Sequence, residues 1–213
     1  MSERYPGYDV LAKRHTPSWN EKTRQVIDER LALPRDPRYL SQEGWLVLEA
    51  ICGRIVQQPR GRPPVPLAAM MDAKLFENRG DGYRDSRLPP LREAWRRGLR
   101  AIDAEAQRRH NVGFADLDAD EQDALLRAAQ QGTVSVGGWD GMPPEIFFAK
   151  RLLPDIVTLY YAHPIAWNEI GFGGPASPRG YVRMDFDRRD PWEAAEAQPG
   201  RETEAARENA RVG

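Results

Sequence analysis

One cysteine, three histidines and no long apolar run leave this 213-residue chain few ways to hold a cofactor or cross a membrane. Cys52 alone excludes an internal disulfide, a zinc finger and an iron–sulfur cluster ligated by this chain by itself. In ICGRIV it falls on the apolar stripe of a predicted helix, which suits a small buried hydrophobe better than a thiol bridging to another chain. His15, His110 and His163 are scattered, and neither H-E-x-x-H nor G-x-S-x-G occurs, so no metal-ligand or nucleophile spacing is present. No apolar stretch approaches the roughly 18–20 residues of a membrane span, so direct insertion into a bilayer is not expected. The opening MSERYPGYDVLAKRHTPSWNEK lacks the apolar stretch of a secretory signal, and its arginine pairs, at 96–97, 108–109 and 188–189, lie too deep for a twin-arginine signal. Excess charge is missing too. Lys and Arg number 31 against 32 Asp and Glu, and a net charge of −1 gives no bulk attraction to nucleic acid or anionic lipid. Arg92, Arg96, Arg97 and Arg100 cluster, but Glu93, Asp103 and Glu105 interleave with them as on a solvated helix face.

Strand–helix alternation and internal repeats are also absent, and what remains is helical periodicity. The spacing predicts an all-α chain with one helical domain over 1–184. Residues 1–17 read as an extended arm. Ser18-Trp19-Asn20-Glu21 has capping-box spacing and opens a helix to about Leu33. Ser41 caps a second helix in which Trp45, Leu48, Cys52, Ile55 and Val56 share a face. Pro66 suits the first turn of a third, Leu67 to Glu77. Pro90 starts the longest, to about His110, with Leu91, Trp95, Leu99, Ile102 and Ala106 on one side. Asp118 caps the next, which ends before Gly132, and TVSVGG is the one hint of extended backbone. Pro144 opens a last helical run that Pro154 should kink or split. The tail, 185–213, has 13 charged residues among 29, too little apolar surface to offset its ordering entropy. It reads as disordered alone, or as lying along a partner with Trp192 as anchor.

The segment from Tyr160 to Met184 breaks this pattern. Tyr160, Tyr161, Trp167, Phe172 and Tyr181 are interleaved with glycines and prolines, and no period survives past Trp167. Apolar, irregular backbone is either folded back onto its own domain or docks another chain. The candidate interface is Trp167, Ile170, Gly171, Phe172, Gly173, Gly174, Pro175 and Tyr181, joined by Trp192. Gly171-Phe-Gly-Gly-Pro lacks a preceding strand and a following Lys-Ser/Thr, so it is no phosphate loop. No catalytic, cofactor-binding or metal residue is assigned. His163 and Asp155, eight residues apart, stand about 12 Å apart along a helix, too far for a hydrogen bond. His163 itself reads as a helix C-terminal residue favoured by the macrodipole. Two alternatives remain: a free-standing helical enzyme using His163 and Glu169, and a helical regulatory module without an enzyme partner.

Three stretches resemble one family. They are the Trp45-Leu-Val-Leu-Glu-Ala-Ile-Cys52 helix to Ile55 running into a Pro-rich loop, the FF…LL…D…YY helix from Phe147 to Tyr161, and His163-Pro164 followed by Trp167-Asn-Glu-Ile170-Gly171-Phe172 and a Gly/Pro run. Over roughly residues 20 to 184 the chain is similar to the gluconate 2-dehydrogenase subunit 3 family. That resemblance implies a small helical subunit without chemistry of its own. Its partner would be a large flavoprotein of the glucose–methanol–choline oxidoreductase type, holding FAD and oxidising a sugar, sugar acid or polyol. A cytochrome c often takes the electrons. Typical members begin with a twin-arginine signal, from which this chain departs. The complex is then expected in the cytoplasm, or in the periplasm if the signal sits on the partner. Some relatives carry an intersubunit disulfide, which the position of Cys52 does not suit.

Overall fold

The structure is a computed structural model and describes residues 3–34, 36–80, 82–178, 180 and 189–212. Its helices follow in chain order as α1 Glu21–Leu31, α2 Gln42–Ile55, α3 Leu67–Phe76, α4 Leu91–His110, α5 Ala119–Gln131, α6 Pro144–Phe147, α7 Leu153–Ala162, α8 Pro164–Ile170 and α9 Glu202–Asn209. No strand occurs among the described residues, so the chain is all-α.

Local chemistry explains most of the starts and stops. Ser41 accepts from the Gly44 N–H at 3.2 Å and begins α2. Asp118 and Glu121 form a reciprocal capping box on α5, and Gly132 closes that helix in the left-handed region. The box expected at Ser18 does not form. Trp19 is needed in a core, where it is 2% exposed, and helical geometry starts only after it. Asn20 takes the capping role by accepting from the Thr23 N–H at 2.9 Å. TVSVGG contributes a 3-10 turn, Val136–Gly138, rather than a strand. The helical run is interrupted ahead of Pro154, as expected, and divides into α6 and α7. The backbone widens into a π-turn, Phe148–Leu152, immediately ahead of the proline, which absorbs the missing N–H.

The chain forms two compact units. Unit 2 spans Pro34–Arg60 and Pro66–Tyr160. Its centre is α4, which touches α2, α5 and α6. Leu91, Trp95, Leu99, Ile102 and Ala106 are buried along one side of α4, as their spacing predicts. Gly98 sits in that row because a Cβ there would fall 2.3 Å from the Phe147 ring. Cys52 is 4% exposed on α2, and burial pushes its thiol up to about 12. Asp72, buried on α3, accepts the N–H groups of Arg38, Tyr39 and Leu40 at 2.7, 3.0 and 2.8 Å and pins the loop ahead of α2. Asp155 accepts from Trp95 Nε1 at 2.8 Å and pairs with Lys74 Nζ at 3.0 Å.

Unit 1 spans Met1–Leu33, Gly61–Val65 and Tyr161–Gly213. Both chain ends and the Gly/aromatic segment meet in it. Tyr8, Val10, Trp19, Ile27, Trp167 and Val212 make its buried apolar cluster. The arm carries a 3-10 helix, Val10–His15, capped by Asp9. The sequence reading sets a tail apart from residue 185 onward. The described part of it, 189–212, instead holds α9 and reaches the core through Val212. Its apolar residues are few, but buried Asn209 orders it through hydrogen bonds, a route that a count of apolar surface does not register.

Candidate functional site

The candidate segment is built around the short helix α8. His163 precedes it, with Nδ1 accepting from the Ile165 N–H at 3.3 Å, and Pro164 fills the first helical position, where no N–H is required. At the other end Gly171 takes φ 65°, and the Phe172 N–H returns to the Trp167 carbonyl at 3.0 Å. This is a glycine-dependent stop that turns the chain sharply after Ile170. The helix extends regular backbone three residues past Trp167, beyond the point where the sequence period fades.

The segment is folded back onto its own unit by the N-terminal arm. Asn168 Oδ1 accepts from the Val10 N–H at 2.7 Å. The Tyr8 hydroxyl donates to the Phe172 carbonyl at 3.3 Å. A Cβ on Gly171 would come within 2.6 Å of the Tyr5 ring, and one on Gly174 within 3.0 Å of both Trp167 and Trp19. These glycines mark where the arm and its rings press closest. Sequence reasoning missed Tyr5, Tyr8, Lys13 and Asn168. The only signal for them was a pair of tyrosines in an arm otherwise lacking a period.

The residues expected at an interface therefore divide. Trp167 is 3% exposed and belongs to the core, donating from Nε1 to the Tyr161 carbonyl at 2.8 Å. Phe172 packs edge-on against it with ring centroids 5.2 Å apart, and the Arg30 guanidinium lies 5.9 Å from the Trp167 ring centre. Gly174 is buried, while Gly171, Gly173, Pro175 and Trp192 are half-buried. Ile170 and Phe172 face outward at 43% and 40% exposure. Tyr161, which the sequence reading left out of the set, is 44% exposed on the same Trp167 surround. Tyr181 lies outside the described residues.

His163 is no helix C-terminal cation. It is buried as the α8 cap, and burial together with the nearby Arg30 charge lowers its pKa to about 4. A neutral imidazole whose Nδ1 already holds a backbone N–H is a structural cap and a poor general base near neutral pH. Glu169 is half-buried one residue past Asn168. Among the described residues no three His, Cys, Asp or Glu side chains gather as a metal site, and no helix is long and apolar enough to cross a membrane.

A family model described as Gluconate 2-dehydrogenase subunit 3 matches residues 42–174, more than half of the chain. No curated protein and no solved structure matches. The matched span covers all of unit 2 beyond residue 41 and ends at Gly174, within the segment that the arm covers.

Proposed function

The chain belongs to the gluconate 2-dehydrogenase subunit 3 family, and we propose that it serves as the non-catalytic accessory subunit of a flavin-dependent dehydrogenase. As a family member it is an accessory subunit of a multi-subunit dehydrogenase complex. The large partner is of the glucose–methanol–choline type, holds the FAD and oxidises a hydroxyl of a sugar, sugar acid or polyol. A cytochrome c accepts the electrons. This chain contributes a docking face and no cofactor ligand. The family match is the observation that carries this reading. The outward Ile170 and Phe172, apolar side chains around a rigidly held Trp167, support it as the kind of small exposed patch that partners cover.

The test is co-expression of this chain, tagged, beside the large flavin-dependent dehydrogenase proposed as its partner. Wild type should recover a chain with flavin absorbance. Phe172→Ser should recover far less, since truncating an aromatic interface anchor costs about 2 kcal/mol, roughly thirtyfold in Kd. Its circular dichroism should stay unchanged because the ring is already half in solvent. Equal recovery by both proteins would place the interface elsewhere. A wild-type chain that recovers no flavoprotein would remove the subunit reading.

A further inference from the structure

The polar contacts that order the C-terminal segment converge on the N-terminal arm. Asn209, 3% exposed, accepts from the Ala195 N–H at 2.7 Å, and its Nδ2 donates to the carbonyls of Ala195 and Pro6, both at 2.9 Å. Lys13, fully buried, donates from Nζ to the Trp192 carbonyl at 2.6 Å, with its ammonium 5.9 Å from the Tyr8 ring centre. The Ala197 N–H donates to the Arg4 carbonyl at 2.8 Å, and Arg4 pairs with Glu196. The same arm touches the Gly/aromatic segment through Val10, Tyr8 and Lys13, whose Nζ would meet a Cβ on Gly173 at 3.0 Å. The arm thus bridges the C-terminal segment and residues 167–174, and Lys13 Nζ reaches both. Among the described residues its only regular element is one 3-10 helix of six residues, which has little stability by itself. A segment so poor in local order takes its shape from the contacts that hold it.

We propose that residues 189–212 form an intramolecular clasp, held by Asn209 and Lys13, that presses the arm onto the 167–174 segment and so sets the shape of the face offered to the partner. This rests on the docking role assigned to that face above. With the clasp open, the arm detaches, Tyr8 and Val10 leave the Trp167 cluster, and the Phe172 carbonyl loses its Tyr8 hydroxyl donor. With it closed, Ile170 and Phe172 are presented on a rigid base. The clasp also explains why two buried polar side chains occupy a region with so few large apolar residues. Satisfied buried polar groups specify one arrangement among many.

Residue-resolved hydrogen exchange on the full chain tests this, comparing wild type with Asn209→Ala and Lys13→Met. The second variant keeps the apolar stem and removes the donor to Trp192. In both, the amides of Val10 and Phe172 should exchange about tenfold faster, the ratio expected when one buried hydrogen bond is lost. Amides of α2 and α4 in unit 2 should keep wild-type rates. Faster exchange confined to residues 195–212, with Val10 and Phe172 unchanged, would overturn the clasp. Equal acceleration in α2 and α4 in both variants would overturn it too, since the change would then be global. The same proteins carried through co-expression separate the two readings. The exchange pattern with no flavoprotein recovered leaves the clasp standing and removes the docking role, and flavoprotein recovered without the pattern does the reverse.

Discussion

Trp95 in unit 2 and Trp167 in unit 1 are wired alike. Each indole N–H donates at 2.8 Å, Trp95 to the Asp155 carboxylate and Trp167 to the Tyr161 carbonyl. Each also meets a phenylalanine edge-on, Phe147 at 5.5 Å and Phe172 at 5.2 Å between ring centroids. Their surroundings differ. Phe147 is 1% exposed and Phe172 is 40% exposed. In unit 2 the aromatic pair is interior on both sides, so its geometry serves stability. In unit 1 one ring is held so that the other can remain outside. A rigid base under an exposed ring lowers the ordering cost of binding, which is how a small surface becomes a docking face. Two similar contacts thus do different work, and exposure of the second ring separates them.

The largest effect should come from breaking the interior pair. Trp95→Ala removes a fully buried indole and leaves Asp155 without its neutral donor beside Lys74. Loss of a buried aromatic of this size costs about 3–5 kcal/mol. Denaturant unfolding followed by circular dichroism should show a loss of that size. A change below about 1 kcal/mol would mean that the interior collapses around the gap, and the contrast with Trp167 would fail.

Glycine substitutions sharpen the contrast at intermediate size. Gly98→Ala places a methyl group against the Phe147 ring, which is packed on all sides and cannot retreat, so a cost of about 1–3 kcal/mol is expected. Gly171→Ala meets both a left-handed φ of 65° and the Tyr5 ring. Tyr5 is half-buried and its ring can give way toward solvent, so the expected cost is about 1–2 kcal/mol, dominated by the backbone. Gly53, on the exposed side of α2 with nothing near its Cβ position, is the control, and alanine there should stabilise by up to about 1 kcal/mol. If Gly98→Ala proves as harmless as Gly53→Ala, the interior packing of α4 on Phe147 is looser than its geometry implies.

Unit 2 was largely legible in the sequence, and unit 1 was not. The apolar steps along α4 and the capping residues Ser41 and Asp118 are local signals, and local signals suffice when an element's partners follow it closely in the chain. Unit 1 is assembled from segments about 200 residues apart, such as Pro6 against Asn209, and no periodicity announces such a pairing. The Gly/aromatic segment was recognisable as unusual from composition alone. Its two candidate fates, folding back or docking, could not be separated, because the decision lies with Tyr5, Tyr8 and Val10 in an arm lacking a pattern. Trp167 illustrates the limit. Its ring type suited an interface anchor, yet its donor and its neighbours bury it. His163 failed for another reason. Adjacent helices α7 and α8 made the same residue a plausible terminus of the first, and the cap it supplies to the second depends on Pro164 starting a new helix.

The smallest effect at neutral pH is the one that titration reveals. His163 has its pKa lowered by burial and by Arg30, to about 4 from an ordinary 6.5. The unfolded chain therefore takes up the proton first. Stability from a neutral, capped His163 is fully present above about 6.5 and drains as pH falls toward about 4, after which both states are protonated. Glu105 in unit 2 is held down to about 2 from 4.5, chiefly by Arg108, with Arg109 and the Ser135 N–H adding to it. As a lowered carboxylate it contributes above about 4.5 and loses that contribution as pH falls toward about 2. The two windows barely overlap, so acid titration reports the two groups in turn. His163→Asn keeps a side-chain acceptor for the Ile165 N–H, so its stability at pH 7 should stay close to wild type. Between about pH 6.5 and 4 its stability should decline less steeply than that of wild type, with the slope below that range retained. Glu105→Gln should remove slope only in the lower window. Denaturant unfolding across this pH range distinguishes them. Parallel curves for His163→Asn and wild type in the upper window would show that the imidazole titrates freely, and the buried cap on α8 would have to be given up.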